Sequence, residues 1–294
     1  MSSLRFVYAG NRSGVLREMQ SLGLRVIHIL PVVNSWLDRE TAGINISRSV
    51  VASKTQAVAE IQQLEFDVLL SVGFPFILPI SALQESGCAS QFINVHPSLL
   101  PDLRGADPIP GAILHSRDAG VSVHHMDDGI DTGPLISQTK ISHQESMDAK
   151  LLYHLCFQLE PEVFRDALMR EFQPMDPQPQ GQGAIYYTFH ESDLRCRDTD
   201  SDEQLQARIR AFNTPRKGAI VCVAGPNEQR CELRVFDGKV LGKELTDRFP
   251  DAVHNEIVGV YEDCLLVRRE DRLWSLSGIR GDIPFDILGH RICT

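Results

Sequence analysis

The chain has 294 residues, of which 43% are hydrophobic and 23% are charged, and its formal net charge is −10. This length is enough for two domains, and the composition is ordinary for a globular protein. Neither residues 1–184 nor residues 185–294 have the net positive charge that is typical of nucleic-acid binders. The sequence contains no run of about 18 apolar residues that would predict a membrane span, and its first residues show no secretion signal. We therefore expect a cytoplasmic protein without a membrane partner.

Strands and helices alternate along the first half of the chain. Apolar runs predict strands at residues 4–10, 24–33, 66–72, 91–95 and 120–126. Apolar residues at helical spacing predict helices at residues 13–22 and around residues 57–64, and a long helix that begins near Ser146. Such alternation predicts an α/β fold with a Rossmann-like, doubly wound parallel sheet.

The pattern changes after this long helix. The segment PMDPQPQGQG, residues 174–183, has little to bury and predicts a linker or an exposed crossing segment. Ser201 and Gln204 form a capping box that predicts the start of another helix. Short apolar segments then predict strands at residues 219–224, 232–236, 256–261, 264–268 and 273–276. We therefore expect a Rossmann-like domain at residues 1–180 and a smaller, mostly β, OB-like domain at residues 185–294.

Seven cysteines are scattered along the chain and none belongs to a C-x-x-C pair. This spacing argues against a disulfide framework and against a zinc site. We expect the cysteines to be small buried residues, and we expect no metal.

Polar residues follow two of the predicted strands. Asn94 and His96 are two residues apart at the end of one strand, so their side chains face the same side. The other strand leads into a glycine-containing loop with Asp127, Asp128 and Asp131. An amide and an imidazolium can stabilise an oxyanion, and a carboxylate can accept a proton, which suits acyl transfer to an amine. Taken alone, a buried histidine that caps a strand is the commoner explanation of the first motif, and the second motif fits a solvated turn.

Together, the two motifs resemble those of the folate-dependent formyltransferase family. The stretch NVHPSLLPDLRGADPI is followed by GVSVHHMDDGIDTGPLI, in the order and at the spacing of that family. The resemblance implies a formyltransferase catalytic fold, with Asn94, His96 and Asp131 as the catalytic residues. It also implies 10-formyltetrahydrofolate as the formyl donor.

The same resemblance suggests which residues bind the donor and the acceptor. The segment at residues 74–79, FPFILP, resembles the folate-side loop of the family. The implied folate-binding residues are Phe76, Leu78, Asp127, Asp128, Gly129 and Ile130. Arg104 matches the family's RG loop, where it either contacts the acceptor or fixes the loop through an ion pair.

The sequence is compatible with more than one acceptor amine. Asn11 and Arg12 lie in a turn before a helix, where a phosphate or a nucleotide-linked group can bind. The segment RIRAFNTP at residues 208–215 resembles the C-terminal domain of methionyl-tRNA formyltransferases and of some amino-sugar enzymes. The turn AGNRSG departs from the tRNA enzymes' usual A-G-T-P-x-F-A, and no lysine-rich insertion follows residue 33.

We therefore expect a small-molecule amine as the acceptor, most naturally a nucleotide-linked amino sugar. The alternatives are initiator tRNA, a formyl-folate hydrolase, and a non-catalytic module that binds folate or a nucleotide. The β domain could also pair across a two-fold axis to give a homodimer.

Overall fold

The chain forms two compact units in a computed structural model that describes residues 3–87, 89–175, 178, 184–225, 230–284 and 286–293. The first unit comprises residues 1–108, 118–142 and 153–188, and the second comprises residues 109–117, 143–152 and 189–294. A division at residues 180–185 stays a prediction. Within the part of the chain that the structure describes, no helix has both the length and the apolar character needed to span a membrane.

The first unit is built on a seven-stranded mixed sheet. Its strands in chain order are β1 (Arg5–Gly10), β2 (Arg25–Pro31), β3 (Ser47–Arg48), β4 (Val68–Val72), β5 (Gln91–His96), β6 (Ala119–His125) and β7 (Leu135–Ile141). The helices along this part of the chain are α1 (Gly14–Ser21), α2 (Trp36–Glu40), α3 (Lys54–Gln62), α4 (Ile80–Glu85), α5 (Pro108–Leu114) and α6 (Ala149–Met169). The strand order is β3-β2-β1-β4-β5-β6-β7, so the predicted α/β doubly wound fold is confirmed.

The last two strands of the sheet depart from the predicted parallel arrangement. The strands from β3 to β5 are parallel, whereas β6 runs antiparallel to β5, and β7 runs antiparallel to β6. Antiparallel neighbours need only a short connection, without a crossover helix. The loop that carries Asp131 therefore joins β6 directly to β7. The antiparallel register of β5 and β6 places Asn94 opposite His124.

The central strands β1 and β4 are buried over residues 6–10 and 68–72, because most of their side chains are apolar. Gly10 ends β1 at a point of close approach: a Cβ atom there would lie 2.2 Å from the carbonyl oxygen of Val72 at the end of β4. Only glycine fits this contact. It brings the turn at Asn11 against the end of β4, and the Asn11 N–H donates to the Val72 carbonyl at 3.2 Å.

The second unit contains the predicted β-rich region, and its seven strands form an antiparallel sheet. The elements are α7 (Asp202–Phe212), β8 (Ala219–Ala224), β9 (Arg230–Val235), β10 (Asp237–Val240), α8 (Lys243–Thr246), β11 (Glu256–Tyr261), β12 (Cys264–Arg269), β13 (Arg272–Ser277) and β14 (Arg291–Cys293). The strand order is β10-β13-β12-β11-β14-β8-β9. The predicted capping box at Ser201 and Gln204 is present, and Trp274 is fully buried in the core of this sheet.

The predicted linker, residues 174–183, lies mostly outside the described residues. Gln178, which the structure does describe, is not exposed: only 4% of its surface is accessible. Its side chain is hydrogen-bonded to the loop of Asp131. The expectation of an exposed segment is therefore wrong at this residue, because its amide finds buried partners.

Candidate active site

A cavity of about 340 Å³ lies beside the ends of β1, β4 and β5 in the first unit. Both polar and apolar residues line it. The lining comprises Asn11, Arg12, Ser71, Gly73, Phe74, Pro75, Phe76, Ile77, Leu78, Asn94, Val95, His96, Pro97, Gly105, Ala106, Pro108, His124, Met126, Asp127, Gly129, Ile130, Asp131 and Tyr186. All three predicted catalytic residues are in this set.

Asn94, His96 and Asp131 converge on one another in this cavity. The Asn94 amide donates to Asp131 Oδ1 at 3.3 Å, and His96 Nδ1 lies 3.8 Å from Asp131 Oδ2. The backbone N–H of Gly105 donates to Asp131 Oδ2 at 2.9 Å. The carboxylate therefore sits between the amide and the imidazole, where a reacting group in the cavity can reach all three side chains.

The hydrogen bonds of two histidines indicate where their protons are. His96 Nε2 lies 3.0 Å from the carbonyl oxygen of Leu103, and a carbonyl can only accept, so Nε2 carries the proton. In the neutral ring, Nδ1 then presents its lone pair toward Asp131. His124 Nδ1 likewise donates to the carbonyl oxygen of His125 at 2.8 Å, which leaves Nε2 free to accept from the Asn94 amide at 3.2 Å.

His124 is a member of this cluster that the sequence analysis left without a role. Neighbouring residues of β6 point to opposite faces, and the structure places His124 in the cavity while His125 contacts the carbonyl oxygen of Phe172. Its Nε2 lies 3.6 Å from Asp131 Oδ1. The strand register, which pairs Asn94 with His124, is the signal that would have identified it.

The charge states of His96 and Asp131 follow from burial and from their donors. Burial lowers the pKa of the His96 imidazole below its ordinary value, and the Asp131 carboxylate and the Leu103 carbonyl only partly offset this. Burial raises the pKa of Asp131, but the imidazoles of His96 and His124 and the Gly105 N–H outweigh it, so the net shift is downward.

These two shifts are in tension, because a neutral His96 offers the carboxylate no full positive charge. We attribute the ionised state of Asp131 mainly to the Gly105 and Asn94 donors, which are present whatever the charge of the imidazole. The resting site near pH 7 then holds a carboxylate and a neutral imidazole. This differs from the expectation of an imidazolium, because burial penalises the charged ring more than Asp131 stabilises it.

The predicted folate-binding residues Phe76 and Leu78 line the cavity. The rings of Phe74 and Phe76 meet edge to face, with centroids 5.2 Å apart. Asp127, Gly129 and Ile130 also line the cavity. Asp128 is outside the lining: its carboxylate accepts a hydrogen bond from the backbone N–H of Ser81, in the first turn of α4.

Asn11 and Arg12 also line the cavity, but Arg12 is not a free cation. Its guanidinium makes two hydrogen bonds to Glu160, at 3.1 and 2.6 Å, and stacks on Phe157 with 4.6 Å between its carbon and the ring centroid. The Glu160 side chain is 1% exposed. The charge of Arg12 is thus largely compensated by a buried carboxylate.

Arg104 lies outside the lining, and its side chain donates to Gln178 Oε1 at 2.8 Å. The backbone of Arg104 pairs instead with residues 185–187, through hydrogen bonds to Ile185 and from Tyr187. This pairing brings the half-exposed ring of Tyr186 to the cavity, beside Gly105. Tyr186 is a lining residue that the sequence analysis missed, because no motif surrounds it.

The described residues contain no group of three or more His, Cys, Asp or Glu side chains that could hold a metal ion. The six cysteines that the structure describes are all free thiols.

Comparisons of the sequence with known proteins give matches to formyltransferases. Residues 37–168 match the model of the formyl transferase family. The methionyl-tRNA formyltransferase of Myxococcus xanthus is 36% identical over 174 residues, which are 56% of this chain and 54% of that protein. The methionyl-tRNA formyltransferase of Sphingopyxis alaskensis is 31% identical over 200 residues, 66% of this chain and 62% of that protein. The chain spans about half the length of the first curated relatives that it matches.

Solved structures share the fold over nearly the whole chain. The sugar 3N-formyl transferase WlaRD, solved in the presence of dTDP and 5-N-formyl-THF, superposes with a TM-score of 0.70 at 16% identity, covering 95% of this chain and 99% of that chain. The N-formyltransferase of Helicobacter canadensis, in complex with folinic acid and dTDP-3-aminofucose, gives a TM-score of 0.69 at 16% identity, covering 94% of this chain and 99% of that chain. At these identities the likeness is one of fold.

Proposed function

We propose that this chain, a member of the folate-dependent formyltransferase family through residues 37–168, transfers a formyl group from 10-formyltetrahydrofolate to a primary amine. The observation that carries the proposal is the convergence of Asn94, His96 and Asp131 in one cavity. The catalytic domain would occupy residues 1–180. The cytoplasmic location and the pairing of two chains remain parts of this proposal.

The apolar residues that line the cavity suit the flat ring of a folate. Leu78 is buried, and the edge-to-face pair Phe74 and Phe76 forms a wall that a pterin can contact. The loop with Asp127 and Ile130 offers backbone and carboxylate groups to the polar edge of that ring. Bound there, the folate would supply the formyl group.

The three polar residues have complementary roles in this proposal. As the amine nitrogen bonds to the formyl carbon, the neutral Nδ1 of His96 accepts the amine proton, and Asp131 stabilises the imidazolium that results. When the bond between the formyl carbon and the folate nitrogen breaks, the imidazolium returns this proton to that nitrogen, so that tetrahydrofolate leaves. Asn94 donates a hydrogen bond to the formyl oxygen as negative charge develops on it; its 3.3 Å bond to Asp131 is long enough to be exchanged for this one. None of these steps requires a Ser or Cys nucleophile.

The pH dependence of the reaction tests the role of His96. Because the pKa of His96 is lowered from 6.5, its imidazole accepts a proton from the amine only above that lowered pKa. We expect kcat/KM to fall as the pH drops into the range below about 6.5, and we expect no loss from His96 between about pH 7 and pH 9. Measuring the pH–rate profile with two acceptor amines of different pKa separates the contribution of His96 from that of the amine. The decrease caused by His96 occurs at the same pH with both amines, whereas the decrease caused by protonation of the amine shifts with the pKa of the amine. A decrease on the alkaline side that both amines share would mean that the imidazolium is the active form.

For the acceptor, we propose a nucleotide-linked amino sugar. Support comes from the net charge of −10, from the absence of a lysine-rich insertion after residue 33, and from the fold shared with two sugar N-formyltransferases. Initiator tRNA is the second candidate, because the curated relatives with the sequence matches above are methionyl-tRNA formyltransferases.

A competition between acceptors distinguishes the two candidates. We expect tetrahydrofolate release with a panel of nucleotide-linked amino sugars, and we expect turnover with charged initiator tRNA to be at least about tenfold lower in kcat/KM, since a net negative protein repels a polyanion. Efficient turnover of the tRNA alone would make the second candidate the function. Binding of folate without turnover on any amine would instead indicate a non-catalytic module.

A further inference from the structure

We infer that Gln178 is a positioning residue that holds the Asp131 carboxylate against His96. The inference deepens the proposed function and rests on it, because it concerns the same cavity. Gln178 lies in the segment that the sequence predicts to be exposed, yet its side chain is buried and hydrogen-bonded at both ends.

The amide of Gln178 is saturated by three partners. Its Nε2 donates to the carbonyl oxygen of Asp131 at 3.0 Å and to that of Gly133 at 2.7 Å, and its Oε1 accepts from Arg104 Nη2 at 2.8 Å. Carbonyl oxygens only accept and a guanidinium only donates, so the orientation of the amide is fixed by its partners. A side chain with one polar atom could not make all three contacts.

The loop that Gln178 contacts needs external support. Asp131 has φ = 53°, a left-handed conformation that a non-glycine residue adopts only at an energetic cost. Such strain persists where surrounding contacts over-determine the backbone, and it is common at functional sites. The two hydrogen bonds from Gln178 act on the carbonyls at and after this residue, which is where the chain turns back toward β7.

Gln178 also connects the two segments that meet at the carboxylate. Its oxygen holds Arg104, and the next residue, Gly105, donates its N–H to Asp131 Oδ2 at 2.9 Å. The amide of Gln178, the 104–105 segment and the Asp131 loop thus form a closed ring of hydrogen bonds. Breaking the ring at Gln178 frees both segments, and the 3.8 Å approach of Asp131 to His96 depends on their relative position.

Two substitutions separate the hydrogen bonds that Gln178 donates to the Asp131 loop from the one that it accepts from Arg104. Gln178→Met removes every hydrogen bond at similar volume, whereas Gln178→Glu keeps an acceptor for Arg104 but cannot donate to either carbonyl. If positioning works through the loop, both variants lose about 10- to 100-fold in kcat, because small misplacements of catalytic groups cost that much. Folate affinity is expected to change by less than about threefold, since the apolar wall is untouched.

The titration of His96, followed by NMR, is the readout that a merely structural role would not move. The groups that face this imidazole are Asp131 and the Leu103 carbonyl, which raise its pKa, and His124 and Arg12, which lower it. In Gln178→Met the carboxylate retreats, so we expect His96 to titrate at lower pH than in the wild type. Gln62→Met, at an exposed glutamine in α3, is the matched control and should change neither the titration nor kcat.

The His96 titration decides the inference without reference to activity. An unchanged titration in Gln178→Met overturns it, and so does wild-type kcat in Gln178→Glu, which would leave only the hold on Arg104. If Gln178→Met does not fold, Gln178→Asn, whose amide is one methylene shorter and cannot span the three partners, must give the same shift. Failure of the wild type to formylate any amine would refute the proposed function alone, because the titration still reports on the position of Asp131.

Discussion

Replacing Asp131 with Asn is expected to lower kcat by about 100-fold or more while leaving folate binding nearly unchanged. The amide has the shape of the carboxylate but carries no charge, so it cannot stabilise an imidazolium at His96, 3.8 Å away. The substitution also replaces one carboxylate oxygen by an NH₂ group, which cannot accept a hydrogen bond from the Gly105 N–H or the Asn94 amide. Single-turnover formyl transfer measures the loss, and calorimetric titration with a non-reactive folate measures binding.

The matched control is Asp118→Asn, at a surface carboxylate that pairs with Lys140 at 3.0 Å outside the cavity. We expect this variant to behave as the wild type. Near wild-type turnover of Asp131→Asn on the true amine would contradict the proposed role and reduce Asp131 to a loop residue. Asp127, whose side chain also lines the cavity, would then be the candidate carboxylate.

Replacing Arg12 with Met is expected to destabilise the first unit by about 3–5 kcal/mol. Glu160 would remain buried at 1% exposure with no cation, and burial already raises its pKa although the nearby Arg12 lowers it. The double variant Arg12→Met/Glu160→Gln should recover most of the loss, because it removes the uncompensated charge. Hydrogen exchange in α6, measured by mass spectrometry, gives the opening free energy.

The sign of the pH effect on this variant follows from the same burial. A carboxyl whose folded pKa is raised above its unfolded value destabilises the protein when it is ionised, so the penalty is full above the folded pKa and disappears as the pH falls through it. We therefore expect the deficit of Arg12→Met to shrink as the pH is lowered from 7 toward 5. A deficit that is constant over this range would mean that the loss comes from the contact with Phe157 and not from the charge of Glu160.

Local patterns in the sequence predict much of the secondary structure because they act over a few residues. The β8 and β11 strands have the predicted bounds, Ala219–Ala224 and Glu256–Tyr261, and the capping box at Ser201 begins α7 as expected. By contrast, β7 was not predicted, since LISQTKI has no regular apolar alternation. Its polar residues are satisfied by distant groups; Ser137, for example, donates to the carbonyl oxygen of Val163.

At the candidate site too, local patterns predict what lies within a few residues but not contacts between distant parts of the chain. Asn94, His96 and Asp131 are found from motifs, and the structure brings them together, although their roles stay a proposal. The partner of Arg12 lies 148 residues away, so no local pattern could indicate that its charge is compensated. Gln178 is similar: a composition rich in Pro, Gly and Gln predicts exposure, and only the tertiary structure shows three buried partners for this one amide.

The antiparallel run from β5 to β7 has a consequence for how the protein reaches its native state. It draws Asn94, His96, His124 and Asp131 from one continuous stretch of the chain, residues 94–131. A contact between residues 94 and 131 closes a shorter loop than a contact between residues 12 and 160, and so costs less loop entropy. The Arg12–Glu160 pair needs nearly the whole first unit before it can close. During synthesis from the N-terminus, the segment at residues 94–131 can thus fold before Arg12 meets Glu160 and before Gln178 reaches the carbonyl oxygen of Asp131.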